Sequence, residues 1–226
     1  MNESIGGYVS DEKLIDQEYA SCHFTEAQKR YFVWKRILDV VIATLMLIVL
    51  SPVMLLVALI IKLSAPLSPI FFTQYRIGLN YHVFKIYKFR TMHTTAPKNT
   101  ATGELDNADQ MITRIGKFLR KSSLDELPQL FNVIKGNMSL IGPRPLVYTE
   151  RQIRTLRKKY FIYSMRPGIT GIAQINGRDK VSMVEKVRMD AEYVHYASFH
   201  LDFEIFIRTI VAVLFHKGIV EGRQNK

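Results

Sequence analysis

Residues 37–61 read ILDVVIATLMLIVLSPVMLLVALII, and this apolar stretch decides the fold. At a rise of 1.5 Å per residue, about 25 helical residues reach roughly 37 Å, which exceeds the ~30 Å hydrocarbon core of a bilayer. Ser51-Pro52 stands at the middle of the stretch, where proline removes a backbone hydrogen bond and bends a helix. The stretch therefore predicts a membrane helix that bends near its centre.

Two topologies fit this helix. A proline-kinked helix can cross the bilayer, and a re-entrant helix can bend at Ser51-Pro52 and leave on the face by which it entered. Cations flank both ends, with Lys35 and Arg36 before the stretch and Lys62 after it, so the positive-inside rule sets no orientation. From the residues alone we favour the kinked spanning helix. Asp39 lies three residues after Arg36, and we expect the two to pair at the interface.

The composition indicates a polyanionic partner. The chain has 31 Lys and Arg against 20 Asp and Glu, a net charge of +11, although residues 1–30 are acidic. Nucleic acid, anionic lipid or a phosphorylated small molecule would suit that surplus, and an apolar content of 48% favours a membrane surface. Cys22 is the only cysteine, so an internal disulfide is excluded and a zinc site is not indicated. We interpret residues 1–30 as a polar extension and residues 31–226 as one domain.

Beyond the apolar stretch, the chemistry centres on residues 120–145, RKSSLDELPQLFNVIKGNMSLIGPRP. Asp125 and Glu126 are adjacent carboxylates in this segment. Ser123 lies three residues before Glu126, so S-x-x-E can form a capping box, in which case the acidic pair serves only the start of a helix. The pattern predicts such a box. A purely structural role in capping and a catalytic role are therefore both open for the acidic pair.

The catalytic interpretation rests on the neighbours of the acidic pair. Vicinal carboxylates can divide labour, one attacking phosphorus and the other holding a divalent cation. Oxygen ligands of this kind favour Mg²⁺ or Mn²⁺. Arg120 and Arg144 flank the pair and can neutralise phosphate oxygens. Carboxylates and arginines beside a membrane helix therefore predict phosphoryl transfer at the bilayer surface.

The other segments give weaker signals. Alternation over residues 70–92 predicts a β-hairpin around 78–80, with Lys88 and Arg90 placed either on a solvated face or towards phosphate. A short basic helix is expected from about residue 112. Cations spaced by three and four within 147–164 predict a helix facing anionic lipid. Ser182 and Glu185 predict a capped helix reaching about Tyr196, and residues 203–215 predict a core or interfacial helix.

Seven motifs occur in a fixed order between Lys35 and about Val220: K-R-x-x-D at 35–39, S-P at 51–52, K-F-R-T-M at 88–92, S-L-D-E-L-P-Q-L at 123–130, G-P-R-P at 142–145, R-P-G-I-T-G at 166–171 and A-Q-I-N-G-R at 173–178. Each motif is weak alone, but all seven in this order are highly specific. On these residues the chain resembles the monotopic phosphoglycosyl transferases, bacterial sugar transferases that start glycan assembly on a polyprenyl phosphate.

The resemblance implies a mechanism. The position of Asp125 is that of the nucleophile, which attacks the β-phosphate of a UDP-sugar, releases UMP and holds the phosphosugar until undecaprenyl phosphate takes it. Glu126, together with Asp125, would bind Mg²⁺. The resemblance also implies roles for two sets of residues. Phosphate binding is expected of Lys88, Arg90, Arg120 and Arg144, and nucleotide or sugar binding of Arg166, Gly168, Thr170, Asn176 and Arg178.

The resemblance also implies a fold and a location. We expect an α+β, predominantly helical domain with a re-entrant hairpin over residues 37–61, interfacial amphipathic helices and a small β-hairpin around a cytoplasmic active site at the bacterial inner membrane. The residues assigned to the membrane hairpin are Arg36, Asp39, Ser51 and Pro52. The N-G-R motif resembles members that use N-acetylated hexoses, although Asp179 departs from the asparagine often found next.

Two alternatives remain open on the sequence alone. One is a non-catalytic basic protein that binds anionic lipid or nucleic acid, and a lack of UMP release would identify it. The other is a membrane phosphotransferase acting on a phospholipid headgroup, which analysis of the lipid product would identify. We expect the partners to be a UDP-sugar, undecaprenyl phosphate and the anionic inner leaflet, without nucleic acid; a homodimer is left open.

Overall fold

The computed structural model describes residues 24–98, 100, 105, 108–176 and 181–214. The predicted α+β architecture, mostly helical with small sheets, is confirmed. The helices are α1 (Glu26–Ser64), α2 (Ala108–Met111), α3 (Arg114–Lys121), α4 (Gln129–Ile134), α5 (Arg151–Lys159), α6 (Ile172–Ile175), α7 (Met183–Tyr196) and α8 (Phe199–Leu214). The strands are β1 (Phe71–Ile77), β2 (Val83–Phe89), β3 (Ser139–Ile141), β4 (Leu146–Val147) and β5 (Gly168–Thr170).

Helix α1 contains the whole apolar stretch and continues through Pro52. It begins at Glu26, inside the segment predicted as an extension, because Thr25 and Gln28 form a reciprocal capping box. Proline cannot donate to the carbonyl of Ile48, four residues earlier. The Ser51 hydroxyl donates to that carbonyl at 2.8 Å. The serine therefore satisfies the backbone group that its proline neighbour frees.

Most of α1 is exposed on the folded unit. Its most apolar 18-residue window has a mean hydropathy of 2.9, yet only 17% of that window is buried, unlike the core helix of a soluble protein. Length and composition allow this helix to cross a bilayer. An apolar helix of this kind, exposed along most of its surface, indicates that the protein associates with a membrane.

Both halves of α1 pack against the same folded unit. Ala43 is fully buried in a cluster with Phe84 of β2 and with side chains of α4. Farther along α1, Val57 is buried in another cluster with Phe89 of β2 and Leu119 of α3. Residues of one strand, β2, thus share apolar clusters with the helix on both sides of Pro52.

The entry end of α1 is fixed by polar contacts that differ in part from the expected ones. Arg36 does not pair with Asp39 but donates to the carbonyls of Val133 (2.7 Å) and Ile134 (3.1 Å) at the end of α4, where helix carbonyls lack intrahelical partners and attract cations. The Asp39 carboxylate instead accepts from the Ser139 hydroxyl at 2.7 Å. These bonds tie α1 to α4 and β3, which flank the acidic pair in the chain.

The predicted β-hairpin is confirmed. Strands β1 and β2 are antiparallel in the register Phe71 with Phe89 and Ile77 with Val83, and a 3-10 turn at Leu79–Tyr81 joins them. Strand β4 extends the sheet on the other edge of β1. The structure describes only parts of the interval 93–109 that follows the hairpin.

Strands β3 and β5 form a second, parallel pair that brings two glycine motifs together. A Cβ built on Gly168 would lie 2.1 Å from the backbone nitrogen of Gly142, and one on Gly171 would lie 2.3 Å from the Gly142 carbonyl oxygen. Such separations are far too short for carbon. The glycines of R-P-G-I-T-G therefore let the G-P-R-P turn lie directly against β5.

The predicted basic and capped helices occur, with one correction. Helix α7 begins after Ser182, whose hydroxyl accepts from the Glu185 N–H at 3.2 Å, and ends at Tyr196 as predicted. Helix α5 does not present all of its cations to a lipid surface, since Arg157 is buried and bonded to Asp190 of α7. A buried charge needs a partner of opposite sign, and α7 supplies it.

Candidate active site

The acidic pair lies in a 3-10 turn, Leu124–Glu126, between α3 and α4. The predicted capping box is wrong: Ser123 has a left-handed backbone (φ 58°) and its side chain makes no capping hydrogen bond. The Glu126 carboxylate instead contacts the side chains of Lys88 and Arg144. Pro128 directly precedes α4 and fixes the chain where it leaves the turn.

Glu126 joins the cations predicted to lie near it. Its Oε1 atom accepts from Lys88 Nζ at 2.6 Å and lies 3.3 Å from Arg144 Nη2. Lys88 and Glu126 are both largely buried, whereas the Arg144 side chain is 48% exposed. Burial lowers the pKa of Lys88, against the opposing charge of Glu126. Glu126 therefore holds two phosphate-binding candidates beside the acidic pair.

Asp125 has a different environment. Its side chain is buried at 7% exposure, and its carboxylate takes part in no hydrogen bond or ion pair within the part of the chain that the structure describes. Burial raises the pKa of Asp125 to about 6, with the charge of Glu126 adding to it and Lys88, Arg120 and Arg144 opposing it. The group is thus mainly ionised at neutral pH and poorly solvated, as a nucleophile requires.

Arg120 reaches the site through a close approach of α3 to the end of β2. Its Nε donates to the Thr91 hydroxyl at 3.0 Å. A Cβ on Gly116 of α3 would lie 2.0 Å from the Thr91 carbonyl oxygen, so glycine is needed for this packing. Thr91 was not among the predicted site residues, although it belongs to the K-F-R-T-M motif.

The G-P-R-P turn is held by the buried Arg157 and the partly buried Arg76, which the sequence did not single out for this role. Arg157 Nη1 donates to the Arg144 carbonyl at 2.6 Å, and Arg76 Nη1 donates to the Pro145 carbonyl at 3.0 Å. Burial lowers the pKa of Arg76 to about 10, so it stays charged at neutral pH. Together these bonds fix the backbone on which Arg144 is mounted.

Removing the counter-ion of Arg157 tests that anchor. Asp190→Ala is expected to lower the free energy of unfolding by about 3–5 kcal/mol, because it leaves a buried arginine without its carboxylate. Denaturant unfolding of the protein in detergent micelles measures this loss. The exposed Asp109→Ala is the matched control and should change stability by no more than about 0.5 kcal/mol. Equal effects of the two substitutions would contradict the structural role.

The contacts described for the remaining predicted residues are with groups other than the acidic pair. Arg90 Nε donates to the Pro69 carbonyl at 2.8 Å, near the end of α1. Arg166 Nε donates to the Gly136 carbonyl at 3.0 Å, and the Thr170 and Thr209 hydroxyls are 2.8 Å apart. Asn176 accepts from Arg208 at 2.6 Å. Gly168 packs on the G-P-R-P turn, and Arg178 lies outside the described residues, so their binding roles stay predictions.

The donor set of the site is compatible with Mg²⁺. Asp125 and Glu126 offer oxygen ligands on adjacent residues, and Mg²⁺ is commonly held by one or two carboxylates together with substrate phosphates. No cluster of three or more His, Cys, Asp or Glu side chains suited to a metal ion occurs within the described ranges. The carboxylate pair fits a cation shared with a phosphorylated substrate better than a fully protein-bound one.

Comparisons with known proteins agree with this geometry. The family model described as bacterial sugar transferase matches residues 30–216. The chain is 41% identical over 191 residues to the uncharacterized sugar transferase EpsL of Bacillus subtilis (strain 168), covering 82% of this chain and 89% of the relative. It is 41% identical to the exopolysaccharide production protein ExoY of Sinorhizobium fredii, covering 81% of this chain and 87% of that protein.

A longer relative carries a more specific name. The UDP-glucose:undecaprenyl-phosphate glucose-1-phosphate transferase of Escherichia coli (strain K12) is 42% identical over 183 residues. That match covers 78% of this chain but only 39% of the relative. The similarity therefore concerns one part of the longer protein.

Proposed function

Because the chain belongs to the bacterial sugar transferase family, we propose that it transfers a sugar 1-phosphate from a UDP-sugar to undecaprenyl phosphate, releasing UMP and starting the assembly of a glycan. The observation that carries this proposal is Asp125, a buried carboxylate that forms no hydrogen bond or ion pair among the described residues and that feels the charges of Lys88, Arg120 and Arg144. Three cations around one free carboxylate suit a nucleophile that must approach an anionic phosphate.

The proposed chemistry takes two displacement steps at one phosphorus atom. In the first, an Asp125 carboxylate oxygen attacks the β-phosphorus of the UDP-sugar, the bond from this phosphorus to the bridging oxygen breaks, and UMP leaves. In the second, a phosphate oxygen of undecaprenyl phosphate attacks the same phosphorus and the acyl phosphate bond breaks. The Asp125 carboxylate is regenerated, and the lipid carries a diphosphate joined to the sugar.

The surrounding residues have separate tasks in this scheme. Glu126 orients Lys88 and Arg144 by its hydrogen bonds, and we assign it, with Asp125, to bind Mg²⁺. Mg²⁺ would neutralise negative charge on the phosphates. Arg144, mounted between two prolines and held at its carbonyl by Arg157, is fixed well enough to offer a bidentate guanidinium to a phosphate.

The sugar is the least constrained part of the proposal. The name of the Escherichia coli relative specifies UDP-glucose, whereas the N-G-R motif at 176–178 favours an N-acetylated hexose. The structure describes Asn176 but not the two residues after it. We propose a UDP-hexose donor, and direct competition between UDP-glucose and UDP-N-acetylhexoses decides between the two classes.

We further propose that α1 is re-entrant and that the site faces the cytoplasm, where UDP-sugars are made. The support is that buried positions occur on α1 up to residue 43 and again from residue 54. Only residues 44–53 lie between them, and ten helical residues rise about 15 Å, half of a ~30 Å hydrocarbon core. Both halves of the helix pack against one domain close to the bend. This packing favours a helix that enters and leaves the bilayer on the same face.

UMP release tests the function as a whole. The purified protein is incubated with undecaprenyl phosphate, Mg²⁺ and one UDP-sugar at a time, and UMP and the lipid product are measured. Release of UMP with formation of a lipid diphosphate sugar is the expected result. A protein that only binds anionic lipid or nucleic acid would release none with any donor, and a headgroup phosphotransferase would modify a phospholipid instead.

Arg144→Lys tests whether phosphate geometry matters beyond charge. Lysine keeps the positive charge but lacks the planar fork of donors, so we expect kcat/KM to fall at least about tenfold. The measurement is steady-state UMP release with varied UDP-sugar. Arg151→Lys, an exposed position on α5, is the matched control and should retain normal activity. Full activity of Arg144→Lys would show that the bidentate role is wrong.

A further inference from the structure

A groove runs between the second half of α1 and helix α3. It has a volume of about 290 Å³ and is lined by Val57, Ile60, Arg114, Ile115, Phe118 and Leu119. Apart from Arg114, every lining side chain is apolar. We call it the tail groove.

The tail groove is open on the side of its exposed walls. Its floor is buried, with Val57 at 6% and Leu119 at 2% exposure, but its walls are not, with Ile60 at 39% and Phe118 at 63%. Leu59 and Leu63 of α1, beside the groove, are exposed at 55% and 71%. An open apolar groove that continues into a membrane-facing surface suits an apolar occupant that arrives from the membrane.

An apolar cluster connects the floor of the groove to the turn that carries the acidic pair. Leu119 of the floor belongs to an apolar cluster that also includes Leu124 and Leu127. These two leucines directly precede and follow Asp125 and Glu126. An apolar chain seated in the groove would therefore lie against the same cluster that packs next to the acidic turn.

Charge adds a second requirement on the occupant. Helix α3, which forms one wall, also carries Arg120, whose charge acts on Asp125. Arg114 is exposed at the groove, where its aliphatic stem can cover apolar surface while its head stays in water. The surface thus suits a molecule with an anionic head near Arg120 and an apolar tail along α3.

We propose that the tail groove binds the phosphate-proximal isoprene units of the polyprenyl phosphate acceptor. This inference rests on the proposed function, which supplies a lipid with that chemistry. The groove is at the small end of ligand pockets, so it takes only a short part of a long lipid, and the rest of the chain stays in the bilayer. Its role is to hold the acceptor phosphate at the acidic pair.

A pair of neighbouring substitutions tests the groove. Ile60→Trp fills the groove. Leu59→Trp, on the preceding residue of the same helix, adds the same ring at a position that does not line the groove. Ile60→Trp is expected to raise the KM for undecaprenyl phosphate at least tenfold and to leave the KM for the UDP-sugar unchanged. Leu59→Trp should leave both constants within twofold of those of the unsubstituted protein. Equal constants for the two variants would overturn the inference.

A binding measurement separates this inference from the proposed function. A photoreactive polyprenyl phosphate, with the label near the phosphate, is crosslinked to the unsubstituted protein in bilayer nanodiscs, and the labelled peptide is identified. Labelling of α3 or of residues 57–60 is expected, whether or not the protein releases UMP. Labelling elsewhere would overturn the groove even if transfer occurs, and a lack of UMP release with every donor would overturn the function alone.

Discussion

Asp125→Asn is expected to lower turnover by roughly 10³-fold or more, because an amide cannot act as the nucleophile and loss of a nucleophile costs orders of magnitude. The substitution preserves the size of a side chain that is buried at 7% exposure, so the fold should be retained. Burial raises the pKa of the Asp125 carboxylate to about 6, because the charged form is poorly solvated at this position. A neutral asparagine should therefore not lower the free energy of unfolding. The measurements are UMP release and mass spectrometry of protein incubated with UDP-sugar.

The controls for this prediction separate chemistry from charge. The unsubstituted protein should gain the mass of a sugar phosphate when the acceptor is omitted, and Asp125→Asn should not. Glu126→Gln is expected to increase the Mg²⁺ concentration needed for activity while still permitting the mass increase. Asp109→Asn, at an exposed position of α2, should behave normally. Near-normal turnover by Asp125→Asn would exclude the covalent mechanism.

Much of the site could be predicted because it is local in sequence. The acidic pair, Arg120 and Arg144 occur within 25 residues. Alternation was enough to place the β-hairpin, and the Ser182–Glu185 pattern was enough to place α7. Lys88 was also predicted at the phosphates, and its bond to Glu126 places it beside the acidic pair. Charged residues that lie close together in a short motif can be assigned to one site from the sequence.

The residues that hold the site in place were harder to find. Arg157 lies in a run of cations that resembles a lipid-facing helix surface, and only the buried Asp190, 33 positions away, reveals its role. Arg76 sits in an alternating strand where an arginine is ordinarily solvated. The capping box failed for a related reason, since Glu126 has Lys88 as a stronger partner than a backbone N–H. Long-range partners of opposite charge override local patterns.

The residues alone favoured a proline-kinked spanning helix, whereas the contacts of α1 support the re-entrant topology that we propose. Hydropathy measures how apolar a helix is but not what the helix packs against, so it does not distinguish a spanning from a re-entrant helix. In the structure, Phe84 of β2 shares an apolar cluster with Ala43 before Pro52, and Phe89 of β2 shares one with Val57 after it. At the entry end, Lys35 Nζ also lies 2.5 Å from Asp202 of α8. A re-entrant α1 accommodates all these contacts on one side of the bilayer.

The test is the location of the two ends of α1 relative to the membrane. After replacement of Cys22, single cysteines are placed at Glu26, whose side chain is 76% exposed, and at Leu67, which is fully exposed beyond the helix. An impermeant maleimide is applied to intact cells and, as the control, to lysed cells. For a re-entrant helix, both cysteines are protected in intact cells and both react after lysis. Labelling of only one of them in intact cells would show a spanning helix.

The bend itself is tested by replacing Ser51 and Pro52 together with leucine. This restores an N–H donor for the Ile48 carbonyl, which the Ser51 hydroxyl otherwise satisfies at 2.8 Å, and it removes the steric clash of the proline ring. Straight helix is then favoured over bent helix by about 3 kcal/mol, enough to shift the topology of most molecules. We expect the cysteine at position 26 to become labelled in intact cells while that at position 67 stays protected. Because a spanning helix separates the entry contacts of Lys35 from the rest of the domain, UMP release should fall in parallel with the labelling.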